Sequence, residues 1–116
     1  MVENQEQGKI EQLQFLEQNI QSLLMQKQTF QQQLMEIDSA LEELEKTKGK
    51  SYKIVGAVMV ESKKEDLQKE LEEKKQVVNL RIKTIEKQET NLKEKASNLQ
   101  AEVLKNIKQK EGKKDA

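Results

Sequence analysis

Residues 49–62 read GKSYKIVGAVMVES, and this stretch decides the architecture. Tyr52, Ile54, Val58 and Val60 alternate with Lys53, Ala57 and Met59. A period of two carried by β-branched residues predicts strands over 52–55 and 58–61. Gly56 lies between them, where a tight reversal needs a positive φ. The segment therefore predicts a β-hairpin, with a single continuous edge strand as the competing reading. Both faces are apolar, through Tyr52, Ile54, Val55, Val58, Met59 and Val60. Two strands without a third are marginal in water. Each large side chain left wet forgoes roughly 1.5–3 kcal/mol relative to burial, and open strand edges invite further pairing. The expected solution is an obligate oligomer in which such hairpins join into a barrel or larger sheet.

Outside this segment the period changes. Upstream, over about residues 5–48, the apolar positions are Leu13, Leu16, Ile20, Leu23, Phe30, Leu34, Ile37, Leu41 and Leu44, with one slot missed at Lys27. Steps of three and four sustained this long predict a coiled-coil helix, a rod of roughly 60 Å. A solitary helix would leave all those leucines in water. Downstream, over about 63–110, the seam is Leu71, Val78, Ile82, Ile85, Leu92, Ala96, Leu99 and Val103, interrupted at Lys75 and Glu89. Gly49 is expected to cap the first helix. Ser62 is expected to N-cap the second, with Glu65 completing a capping box. The tail 111–116, EGKKDA, has nothing to bury and is expected to fray.

A connection this short returns the second helix antiparallel to the first. Leu44 then falls near Leu67, Leu41 near Leu71, Phe30 near Ile82 and Leu13 near Leu99. Lys27 falls within about one turn of Glu89, either as a register-fixing pair or as a coincidence of two solvated residues. The expected fold is mainly α: one domain over 1–116, a long antiparallel two-helix coiled coil joined by a short β-hairpin that assembles with other subunits into a β-barrel.

Composition narrows the chemistry. Of 116 residues, 36% are charged and 34% apolar, too lean for a single compact core but suited to long helices with narrow seams. Proline is absent, which favours helix over disorder. With no Cys and no His, disulfides, thiolate zinc sites and His-based triads are excluded. Gly8, Gly49, Gly56 and Gly112 are scattered and form no phosphate-cradling loop. Acidic pairs such as Glu42-Glu43 and Glu72-Glu73 fall on solvated helix faces without a cleft. No enzyme activity, cofactor or metal is expected. The 21 acidic and 21 basic residues cancel, and the basic residues are not interleaved with aromatics, so no nucleic-acid surface is expected. No apolar run reaches membrane-spanning length, and the start MVENQEQGK is unlike a signal peptide. A cytoplasmic protein is expected.

The helix ends away from the hairpin carry a second group of apolar residues. Ile10, Phe15, Leu24, Met25, Leu104 and Ile107 lie off the seam or beside it, while Leu13, Leu16, Leu99 and Val103 lie on it near the chain ends. Exposed apolar groups of this kind mark interaction sites, and Met adapts to varied partners. The alternative reading makes them ordinary core residues of a wide seam.

The hairpin and second helix resemble a known family. YKIVGAVMVES, followed by KKEDLQKELEEK and then RIKTIEKQETNLKEKASNLQ, is similar to the β-class subunits of prefoldin, most specifically over Arg81–Glu89. QKQTFQQQL at Gln26–Leu34 resembles the family more loosely, and the resemblance spans about residues 9–108. The α class has a longer linker with two hairpins, whereas the dozen or so residues here leave room for one. The resemblance implies a hexamer of two α and four β subunits whose hairpins form paired β-barrels. Six coiled coils would project from it. Their tips would hold unfolded polypeptides and pass them to a group II chaperonin without nucleotide hydrolysis. Ile10, Leu13, Phe15, Leu16, Leu99, Val103, Leu104 and Ile107 are the client-binding residues this arrangement suggests. A coiled-coil spacer or tether without client binding is the alternative function, although a spacer needs no strand-pairing device between its helices.

Overall fold

The structure is a computed structural model that describes residues 2–115, with side chains described from 7 to 107. Its elements are helix α1 (Val2–Lys46), strands β1 (Ser51–Val55) and β2 (Val58–Ser62), and helix α2 (Lys64–Asp115). The strands form one antiparallel hairpin, each a residue longer at the end next to the helices than the alternation predicts, with Ser51 paired to Ser62. Gly56 has a φ of 61°, and among the described residues none other than glycine has a positive φ. A two-residue turn with positive φ at its first residue alone fits type II′, whose twist matches that of the flanking strands.

Burial follows the heptad seams. Along α1, positions 13, 16, 20, 23, 27, 30, 34, 37, 41 and 44 are half-buried, and nearly all residues between them are exposed. Along α2, Val78, Ile82, Ile85 and Val103 are buried, and Leu71, Leu92, Ala96 and Leu99 are half-buried. No described side chain is fully enclosed, because each of two helices can cover only one stripe of the other. The polar interruptions hold seam slots. Lys75 is half-buried, with Nζ 2.8 Å from Asp38 Oδ1. Glu89 is buried, with an oxygen 4.0 Å from Lys93 Nζ, one turn along the same helix.

The chain divides into two compact units. The hairpin unit, residues 27–84, holds the hairpin and the helix segments that flank it. Its helices run antiparallel: the Arg81 guanidinium lies 5.6 Å from the centre of the Phe30 ring, and Asp38 meets Lys75. The terminal unit, residues 1–26 with 85–116, is also an antiparallel pair. There Lys9 Nζ is 3.4 Å from Glu102 Oε2, and Asn19 and Leu23 share a groove with Gln88, Asn91 and Leu92.

Two sequence expectations about helix ends are corrected. Gly49 does not cap α1, since it lacks the left-handed backbone that such a cap needs. Thr47 closes the helix instead, its amide donating to the Leu44 carbonyl (3.2 Å) and its hydroxyl to the Glu43 carbonyl (2.8 Å). Lys64 Nζ donates to the carbonyls of Glu45 (3.0 Å) and Thr47 (3.2 Å), placing a cation at the negative end of the helix. Ser62 is not the N-cap of α2, because it is the last residue of β2. The Lys63 carbonyl accepts the first helical bond, from the Leu67 amide (3.0 Å). Helix α2 runs to Asp115.

Candidate functional site

The hairpin is the most exposed apolar element of its unit. The pairing sets Tyr52 opposite Glu61, Lys53 opposite Val60, Ile54 opposite Met59 and Val55 opposite Val58. Paired residues share a face and successive residues alternate. One face therefore carries Tyr52, Ile54, Met59 and Glu61, and the other carries Lys53, Val55, Val58 and Val60. Both are open: Ile54 is 70% exposed on the first and Val58 61% on the second. Tyr52, Val55, Met59 and Val60 are exposed as well, and Gly56 turns the chain at the outer end. The sheet has only two strands, so each keeps one unpaired edge.

One ion pair between the hairpin and the helices was not signalled by the sequence pattern. Lys53 Nζ lies 2.5 Å from Glu70 Oε1, tying β1 to α2. This hydrogen bond holds the Glu70 carboxyl below its ordinary value of 4.5, with a lesser electrostatic contribution from Lys53 and Lys74. A carboxyl lowered in the folded state contributes stability above its unfolded value, and that contribution is lost as pH falls through the lowered one. A carbon-detected NMR titration of Glu70 should accordingly give a midpoint below 4.5, moving back up in Lys53→Met. An unmoved midpoint would show that the pair does not form in solution.

The residues expected to bind clients lie together in the terminal unit but differ in access. Ile10, Phe15, Leu104 and Ile107 are exposed, as are Leu24 and Met25 nearby in sequence. Leu13, Leu16 and Leu99 are half-buried in the seam. Val103 is buried. Its position continues the seam slots of Ala96 and Leu99, and the helix runs on past it.

The chain is of one recognisable type, long helices joined through an exposed apolar hairpin. Residues 7–110 match the family model described as "Prefoldin subunit". The chain is 40% identical over 101 residues to the prefoldin subunit beta of Archaeoglobus fulgidus, covering 85% of this chain and 87% of that one. It is 36% identical over 99 residues to the prefoldin subunit beta of Saccharolobus islandicus, covering 84% and 79%. The crystal structure of the prefoldin beta subunit from Thermococcus strain KS-1 superposes with a TM-score of 0.81 at 35% identity, covering 85% of this chain and 89% of that one. The chain belongs to the prefoldin family, in its β-subunit class. Prefoldins are chaperones, and membership implies assembly with other prefoldin subunits. Among the described residues, no helix is long and apolar enough to cross a membrane.

Proposed function

We propose that this chain is a cytoplasmic holdase subunit that assembles through its hairpin with an α-class partner, two α with four β chains. In this reading the terminal unit grips unfolded polypeptides, which are then passed to a group II chaperonin. The observation that carries it is the hairpin, apolar on both faces and open at both edges, in a chain whose other large apolar residues mostly line a seam. A mere spacer has no use for such a device. The exposed Ile10, Phe15, Leu104 and Ile107 support a shallow, unselective grip. Binding and release are driven by competition between acceptors and need no nucleotide.

The test is dilution of a chemically denatured protein into buffer with the chain and its α-class partner. Substoichiometric assembly should suppress light scattering in the absence of ATP, and ATP should not be turned over above background. Unchanged aggregation would favour the spacer reading, and nucleotide hydrolysis would overturn the passive mechanism.

A further inference from the structure

The terminal unit carries a groove unlike the clefts beside the hairpin. About 420 Å³ in volume, it is walled by Asn19, Ser22 and Gln26 of α1 and by Gln88 and Asn91 of α2, over the half-buried seam residues Leu23 and Leu92. No charged residue lines it, although 36% of the chain is charged and the clefts of the hairpin unit are lined in part by Glu and Lys. Asn19 is half-buried, and the other four polar residues are exposed. None of the five side chains makes a hydrogen bond among the described residues.

We propose that this groove holds the main chain of an extended, unfolded polypeptide through hydrogen bonds from its side-chain amides. The proposal rests on the terminal unit being the part that grips clients, and it adds a contact that ignores client sequence. Chemistry selects the occupant. Each Asn or Gln offers two donors and an acceptor, matching the N–H and C=O that every non-proline residue presents. A folded partner has nearly all of these groups paired already, whereas an unfolded chain does not. With no charge in its lining, the groove has nothing to neutralise a phosphate or an ionised side chain. It also has no aromatic ring on which a nucleobase or a sugar would stack. The apolar floor of Leu23 and Leu92 lowers the local dielectric, which strengthens hydrogen bonds made above it. Length agrees as well. Asn19 and Gln26 stand two turns apart on α1, about 10 Å, which is the length of about three residues of extended chain.

The test compares two fluorescent peptides built from Leu, Ala and Ser, one plain and one N-methylated at alternate residues. N-methylation removes main-chain donors and leaves the side chains alone. By fluorescence anisotropy, the chain assembled with its α-class partner should bind the plain peptide at least about tenfold more tightly, since several hydrogen bonds are lost together in the other. Asn19→Leu with Gln26→Met and Gln88→Met keeps side-chain size with good helix formers, and should abolish that preference. N-methylation also restricts the peptide backbone, so the change in preference between the two proteins is the deciding quantity. A photo-crosslinking residue at the exposed position 22 should label the plain peptide. Equal binding of the two peptides by the wild type, a preference that survives the triple variant, or label falling only on another subunit would overturn the proposal. If the two peptides bind equally while Ile10→Gln with Phe15→Gln abolishes protection of a denatured protein, the groove is wrong and the terminal-unit reading stands. If the wild type neither binds peptide nor protects, both fall.

Discussion

Replacing Val58 and Val60 together by lysine should dissolve the oligomer and leave the helices standing. The two residues point to the same face of β2, and both are exposed in the single chain. Assembly would bury them; two lysines there would carry ammonium groups into an apolar contact with no carboxylate prepared for them. Each buried, unpaired ion costs several kcal/mol after relaxation. Since 1.4 kcal/mol is a factor of ten, dissociation should increase by at least about a thousandfold. Lysine on an exposed edge is also how natural sheets repel unwanted strands. The seams of α1 and α2 do not include these positions, so circular dichroism should change little. Sedimentation velocity of the chain with its partner subunits decides the matter, and a double variant still fully assembled at micromolar concentration would refute hairpin-mediated assembly.

Protection of unfolded proteins should be lost when Ile10, Phe15, Leu104 and Ile107 are all changed to glutamine. All four side chains are exposed, Phe15 at 65% the most and Ile107 at 40% the least, so part of the change falls on packing and circular dichroism is the control. Glutamine also keeps the helices, being a good helix former. Each would cover part of its surface against a client, and a lost apolar contact of that kind is on the order of 1 kcal/mol. Several subunits acting on one polypeptide multiply the loss, because linked weak sites gain affinity through effective concentration. The amount of chaperone needed for half-suppression of aggregation should rise more than tenfold while the oligomer stays intact. Unaltered protection would move the client surface away from the terminal unit, towards the inner helix faces. Val103 is deliberately left out of this set, since its burial makes it a packing residue.

The seam and hairpin were legible because both are periodic. Steps of three and four marked α1 and α2, and even the polar slots at Lys27, Lys75 and Glu89 fall in register with buried or half-buried positions. Alternation around Gly56 marked the strands. What periodicity could not reveal were choices made between elements. Gly49 looked like a cap, but Lys64, 19 residues from Glu45, supplies the cation at the end of α1. The Lys53–Glu70 pair joins two solvated-looking residues whose meeting depends on how the hairpin lies on α2. Val103 obeyed the seam rule and is buried, although its nearness to the chain end suggested exposure.

The contacts of this chain are nested around a two-residue turn, which sets the order in which they can form. Lys53 and Glu70 are 17 residues apart, and Lys64 and Glu45 are 19 apart, whereas Lys9 and Glu102 are separated by most of the chain. Closure entropy rises with the logarithm of separation, so pairing Lys9 with Glu102 from an open chain costs about 1.5 kcal/mol more than pairing Lys53 with Glu70. Once the inner contacts exist, each further turn of helix pairs across a gap already shut. Closure entropy on its own favours the contacts nearest Gly56 first. In that order the hairpin is complete before Lys9 and Glu102 meet.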